Sequence, residues 1–583
     1  MHRIRTMYFF IALLLVSSSA YAQFPADDGY IQIFNGQNLD DGWQMQWPGK
    51  WTVEKGILTG RQDPAVGGDS WLFTEYSEID NFSLELEFKI TKGGNSGVGI
   101  RMPAGVEGRP SQHGFEIQIN DSDEEFPTGS VFRHVAASPK KHQIEKWNKM
   151  AIICVKDHIV VYLNTAKILD THLEGSKKGR IGFQVHGGEQ LKDQVAEFRN
   201  IRIKDLKAQY KAEPSPVQFE AHQIDDHNGE GVTVFDVDSD GDLDVTSGPN
   251  WYEAPNWYEA PNWNKHHYRD VNADAEFMQD FGEAVLDVNR DGKMDVISGG
   301  WFEPYLYWFQ NPGGEQAQSK WQRHTISDQL PGTETIIPCD LDRDGRMDLL
   351  VNSYLPGQGV SYFANIGWED SGARFEKRYI GFPGGGHGMA VGDVNRDGFD
   401  DILTTSGWYQ APMKSTEQPW KFQRSYRVTE RLSAPFVVDD LNKDGLADII
   451  YGQAHDFGLF WMEQTRDSAG REAWIYHTID PTYSQLHIIL LEDIDGDGEL
   501  DIVAGKRYRG HGGTDKGANE PLCIFWYKTK RGADPQFTKH VITYDQNIGT
   551  GMDMEFVDID DDGDRDLVTA GKSGQYLLEN KTK

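Results

Sequence analysis

Apolar and polar residues alternate along much of this 583-residue chain. Between residues 84 and 203 the alternation falls into seven runs: LELEFKI (84–90), SGVGIRM (96–102), FEIQIND (115–121), KMAIICV (149–155), IVVYLN (159–164), IGFQVHG (181–187) and VAEFRNIRI (195–203). Gly-rich turns separate them. A period of two gives each strand one apolar face, so residues 23–206 are expected to form an all-β sandwich. A polar, Pro-containing linker, KAQYKAEPSP (207–216), follows.

Residues 217–583 carry a different pattern. One ten-residue phrase recurs seven times: DVDSDGDLDV, DVNRDGKMDV, DLDRDGRMDL, DVNRDGFDDI, DLNKDGLADI, DIDGDGELDI and DIDDDGDRDL. A short strand opens each larger unit (FEAHQI from Phe219, WQRHTI from Trp321, FTKHVI from Phe537), then an apolar strand, the phrase, a second strand and an aromatic strand such as LYWFQN. Four short strands in about 50 residues is the pattern of a β-propeller blade, and seven copies predict seven blades.

Each phrase sets oxygens at positions 1, 3, 5 and 9 and Gly at 6. These are Asp236, Asp238, Asp240 and Asp244; Asp287, Asn289, Asp291 and Asp295; Asp340, Asp342, Asp344 and Asp348; Asp393, Asn395, Asp397 and Asp401; Asp440, Asn442, Asp444 and Asp448; Asp493, Asp495, Asp497 and Asp501; and Asp558, Asp560, Asp562 and Asp566. Alternate side chains turn inward, Gly permits a sharp turn, and the last carboxylate closes a shell around a hard cation. Without a cation the carboxylates would repel by roughly 4 kcal/mol per pair at an effective dielectric of ~20. An EF-hand needs Glu at position 12 and flanking helices. Position 12 here is Ser247, Ser298, Val351, Thr404, Tyr451, Ala504 and Thr569, and the flanks alternate as strands do. The phrases are therefore hairpin turns, expected to hold about seven structural Ca²⁺. Acidic turns without an ion are the plainer alternative, which seven repetitions disfavour.

The formal charge is −34, and 25 of the 91 acidic residues are Asp at these ligand positions. Seven Ca²⁺ would return about +14. An acidic surface disfavours nucleic acid and anionic membrane. Residues 1–22 read as a signal peptide: Arg3 and Arg5, an apolar core from Tyr8 to Val16, and Ala20-Tyr21-Ala22 as cleavage site. No later stretch is long and apolar enough for membrane insertion. The chain is therefore expected to be exported, to the periplasm or the cell exterior. Three cysteines, Cys154, Cys339 and Cys523, make no disulfide framework.

Period two also sorts candidate chemistry. Arg101, Glu116, Gln118, Gln184 and His186 share the polar side of their strands, either a solvated face or a working one. Glu116 or His186 could act as a base, and Arg101 or a divalent metal as an electrophile; His113 and His134 are further candidates. In the repeats, the residue six before each first Asp is Glu230, Phe281, Glu334, His387, Ala434, His487 or Met552. In a propeller these ring one mouth of the channel, and the loops beside them carry Trp251, Trp301, Trp408, Lys506, Arg507 and His511. Flat aromatics beside polar groups suit sugar rings. The alternative is that these aromatics pack between blades. The His that recurs in the opening strands (His222, His267, His324, His477, His540) is expected to be structural.

NSGVGIRM, HGFEIQIND, PTGSVF, EKWNKMAIICV, GRIGFQVHGG and EFRNIRI, in this order over about residues 28–205, resemble the 3-keto-disaccharide hydrolase domain family. Asn164-Thr165 stands where that family usually has Asn-Gly. The seven-fold phrase resembles FG-GAP/VCBS propeller repeats. The first resemblance implies a concanavalin-like sandwich (jelly roll) and cleavage of glycosides whose C3 is a ketone, with a redox enzyme supplying the keto-sugar. A non-catalytic carbohydrate-binding or adhesion protein is the alternative.

Overall fold

A computed structural model of the chain describes residues 28–582 apart from 41, 256–262, 275, 331, 354–358, 370–371, 385–387, 414–418 and 429–435. The signal-peptide reading and His387 lie outside the described residues, as does Ala434. The fold is all-β. The longest helical pieces are single turns, and no described helix is long and apolar enough to cross a membrane.

Residues 31–205 build two facing sheets. One runs Trp43–Gln46, Ser70–Thr74, Arg180–Val185, Asn95–Met102, Phe115–Asn120. The other has eight strands, with Phe82–Ile90 between Asn148–Val155 and Ala196–Asp205 near its middle. Their inner faces bury Val98, Ile100, Ile117, Ile119, Ile181 and Phe183 against Leu84, Leu86, Ile152, Ile159 and Phe198. The seven alternating runs are all strands. Of the strands before residue 82, Gly49–Glu54 alternates in burial, whereas Ser70–Thr74 is buried on both faces.

Residues 219–580 form seven four-stranded antiparallel sheets. No described sheet closes on itself. The phrase is the turn between first and second strands, as expected: Thr233–Phe235 pairs with Asp244–Ser247, and Ile489–Glu492 with Asp501–Gly505. The opening strands belong elsewhere than expected. Each is the outer strand of the preceding sheet, because the aromatic strand folds back onto it by a hairpin; Cys523–Lys530 pairs with Gln536–Tyr544. The first, Phe219–Asp225, pairs with Gly574–Asn580 and completes the sheet of Met554–Val557 and Asp566–Gly571.

The linker is not free. Gln209 is fully buried, its Oε1 accepts a hydrogen bond from Tyr544 Oη at 3.1 Å, and Glu213 N donates to Lys539 O at 2.9 Å. The outer face of the eight-stranded sheet docks on the repeats here. Ala151, Ile153, Val160, Tyr162 and Leu206 pack with Tyr483, Leu486, Phe525 and Tyr544 in one core. Lys204 Nζ lies 3.0 Å from both Glu520 oxygens, with both side chains buried. His158 bridges Asp170 (2.8 Å) and Asp545 (3.0 Å) across the joint.

Candidate active site

On the five-stranded sheet, Glu116 and Gln118 lie opposite Gly99 and Gly97, while Gln184 lies opposite Trp71 and Gly182 opposite Phe73. Side chains on both flanks lean over a strip of glycines. A Cβ on Gly97 would stand 2.9 Å from Glu116 Oε1, so a glycine there leaves room for the carboxylate. Pro110, from the turn Pro110–His113, covers Gly99 beside Trp71, and Ser111 hydrogen-bonds Glu116. Burial pushes the Glu116 pKa up to about 7; Ser111 and the charge of Arg109 oppose the rise, and Asp69 adds to it.

Three atoms beside this carboxyl, Trp71 Nε1, Gln118 Oε1 and Gln184 Oε1, are buried with no hydrogen-bond partner. Buried polar groups are nearly always satisfied, so an orphaned trio on one patch points to a polar ligand. His186 sits on the rim, a third exposed, its Nδ1 2.8 Å from Gly187 O and 3.5 Å from Asp69 Oδ1. Asp69 also pairs with Arg109.

The face therefore brings together Glu116, Gln118, Gln184 and His186. It does not include Arg101. The register shifts between Arg180 and Gly182, and Arg101 adopts φ 53°. That bulge turns its side chain to the sandwich end, where Nη1 donates to Lys156 O (2.6 Å) and Nη2 to Asp80 O (2.9 Å). It clamps two turns and is 1% exposed. His113 and His134 are exposed; the His134 ring packs edge-on to Phe115. Asp69, Trp71, Arg109 and Ser111 were not singled out from the sequence. Trp71 lies on a strand that lacks alternation and Asp69 just before it, Arg109 and Ser111 on the turn that opens at Arg109, and the one local cue is the Gly67-Gly68 turn.

In the repeats, a cavity of about 680 Å³ gathers several of the expected mouth residues: Phe281, Glu334, Trp301, Arg507 and His511, with Glu276, Phe277, Phe302, His455 and Arg509. Thr165, from the sandwich hairpin, also lines it. His487 is buried, its ring 5.1 Å from that of His455. Arg507 is held by Glu230 at 2.7 and 2.8 Å. Three expectations fail on burial. Lys506 does not reach the mouth; its Nζ donates to Gly517 O (2.6 Å) and Ser484 Oγ (3.1 Å) beneath the loop, and burial lowers its pKa to about 8. Trp408 packs between sheets, donating to Ser425 Oγ and Glu472 Oε1 at 3.2 Å. Trp251 is likewise buried, on His266.

The recurring His has a role the sequence did not display. His324, His477 and His540 stack on Trp308, Trp461 and Trp526 of the neighbouring strand at 4.1–4.3 Å. In the first sheet His266, not His267, takes that place. His222 instead meets Glu579 at 2.7 Å.

The seven acidic turns share one geometry. Position 1 accepts the backbone N–H groups of positions 5 and 6, as Asp340 does from Asp344 and Gly345 at 3.0 Å. Gly at position 6 has φ between 84° and 104° throughout. The position-9 Asp is buried in every copy and takes two backbone N–H groups, Asp448 from Leu441 and Gln464. It ties the strands as well as facing the loop. Burial pushes its pKa up to about 7 in Asp244 and about 6 in Asp501. Asp238 Oδ1 and Asp495 Oδ1 are buried with no partner, and Asp236, Asp238 and Asp244 converge within 4.8 Å, so the donors present suit a hard cation. Lys528 pairs with Asp495 and Asp497, and Arg378 with Asp342, which offsets some of the repulsion.

The sandwich and the repeats each match a known kind of protein. Residues 29–204 match the family model of the 3-keto-alpha-glucoside-1,2-lyase-like domain, and residues 287–351 and 440–504 match the FG-GAP-like repeat. The chain is 28% identical over 246 residues to a 3-keto-disaccharide hydrolase of Bacteroides thetaiotaomicron, covering 32% of this chain and 81% of that protein. A provisionally assigned glycosyl hydrolase of Parabacteroides distasonis is 25% identical, with a TM-score of 0.26, covering 31% of this chain and 95% of that one. The carbohydrate-binding module CBM66 of Bacillus subtilis is 18% identical, with a TM-score of 0.22, covering 28% and 95%.

Proposed function

We propose that this chain is an exported glycan-processing enzyme whose sandwich cleaves 3-keto-glycosides by elimination. The observation that carries the reading is Glu116: a buried carboxyl with a pKa near 7, beside three polar atoms that lack partners. A ketone at C3 acidifies the C2 proton. Glu116 takes that proton, the C2–C3 enolate forms, and its electron pair expels the C1 oxygen substituent, which leaves with a proton. Water adding to the enone gives net hydrolysis; release of the enone is the lyase outcome. A base with pKa near ambient pH suits the first step. Gln118, Gln184 and Trp71 are placed to hold sugar hydroxyls. Arg109, whose charge already acts on Glu116, takes the electrophile role expected of Arg101. An oxidising enzyme has to supply the ketone.

The seven sheets are read as propeller blades. First strands of neighbouring sheets touch, including the first with the last, Thr233–Phe235 with Met554–Val557. Each acidic turn is assigned one structural Ca²⁺.

The test is aglycone release and enone absorbance from a 3-keto-glucoside. Glu116→Gln keeps the shape and should lose ~10²–10⁴-fold in turnover while still binding substrate. Full turnover in that variant would place the chemistry elsewhere. Binding without turnover in the wild type would make the sandwich a lectin-like module.

A further inference from the structure

The loop 505–520 is unusual in its backbone. Arg509 (φ 48°) and His511 (φ 47°) take the left-handed region without being glycine, followed by Gly512 and Gly513. Such conformations persist where the surrounding structure enforces them, and they cluster at ligand sites. Gly510 between them admits no side chain: a Cβ would fall 1.8 Å from Gln485 Oε1 and 2.7 Å from Asp515 Oδ2. The result is that His511 and Asp515 are presented to His455, which sits on the corresponding loop of the preceding sheet.

The three side chains converge closely. His455 Nδ1 lies 2.7 Å from Asp515 Oδ2, and His511 Nδ1 lies 2.9 Å from the same oxygen. The imidazole rings are 4.4 Å apart, and the three donor atoms fall within 4.8 Å of one another. Both histidines line the 680 Å³ cavity, where Trp301 and Phe281 supply flat apolar surface and Arg509 Nη1 is buried with no partner. Thr165, with φ 72°, also lines the cavity.

We propose that His455, His511 and Asp515 bind one divalent transition ion of the zinc class, with its open positions toward the cavity for adjacent oxygens of a sugar. Two imidazole nitrogens and one carboxylate select such an ion over Ca²⁺, which takes oxygen ligands, and three protein ligands leave room for an exchangeable one. The site is separate from the acidic turns, which supply oxygen alone, and from Glu116.

The test is a Co²⁺ titration of the full chain without a histidine tag, in excess Ca²⁺ so that the turns stay saturated. One Co²⁺ per chain with visible d–d absorption is expected. His511 is half exposed, so His511→Ala should fold; it and Asp515→Asn should each weaken Co²⁺ binding at least about ten-fold at an unchanged melting temperature, while Asp340→Ala should not. Millimolar 3-keto-glucoside should shift the bands. No d–d bands in the wild type, or the same titration in both variants, would overturn the metal site. Bands that no sugar moves would overturn its sugar-facing role.

Discussion

Glu116 is stabilised as an acid and needed as a base. The fold raises its pKa to about 7 by burial, against about 4.3 in an unfolded chain. Its contribution to stability is therefore complete below pH ~4 and lost as pH rises through about 7. Turnover should run the other way, rising through the same pKa as the carboxylate appears. Glu116→Gln, which stays neutral, should melt close to wild type at pH 4.5 and above it at pH 8.5, by up to about 3 kcal/mol in stability. Scanning calorimetry of both proteins at the two pH values checks this; equal melting at pH 8.5 would mean the carboxyl is not strained by burial. Period two was enough to place Glu116, Gln118 and Gln184 on one face. It failed at Arg101, where one bulge reverses the alternation, and it had nothing to say of Trp71, whose strand is buried on both sides.

At the scale of the element, the acidic turns combine two jobs. Position 9 ties strands through backbone N–H groups whether or not an ion is present, and positions 1, 3 and 5 collect charge that only a cation or a nearby Lys or Arg offsets. Chelation should therefore loosen the repeats without erasing their strands. With EDTA the melting temperature should fall, as stability drops by ~3 kcal/mol for each site whose free Ca²⁺ stood at 100 times its Kd, while far-ultraviolet circular dichroism at 25 °C changes little. Metal analysis should find about seven Ca²⁺ per chain before chelation, and six in Asp340→Ala. Melting indifferent to EDTA would remove the ion from these turns. The turns were legible because side-chain spacing alone defines them. The assignment of strands to sheets was not, because the connections before and after each His-bearing strand look alike in sequence, though only the first is a hairpin. The docking face was written in KMAIICV and IVVYLN, which are apolar on both faces, Ala151 and Ile153 outward, Ile152 and Cys154 inward. One apolar face per strand accounts for only half of that pattern.

Over the whole molecule, sandwich and repeats share a core and a set of charged clamps. His158 is the titratable one. Burial lowers its pKa, but Asp170 and Asp545 outweigh that and raise it to about 9. Its clamp is complete below the unfolded value of ~6.5 and is lost as pH rises through about 9. Limited proteolysis within 207–216 should thus accelerate between pH 7 and pH 10, and His158→Gln should be cut readily at both; a rate flat with pH in the wild type would show that Lys204–Glu520 and the apolar contacts hold the joint alone. The pairing of His222 with Glu579, 357 positions apart, bears on how the molecule is made. A chain that emerges amino-end first finishes its sandwich early, then carries the bare edge of Phe219–Asp225 through the synthesis of six further sheets. Only the arrival of Gly574–Asn580 covers that edge. A ribosome that stops short of residue 574 releases a protein with an open strand, free to recruit its neighbours. The fold itself thereby registers whether synthesis has passed residue 580.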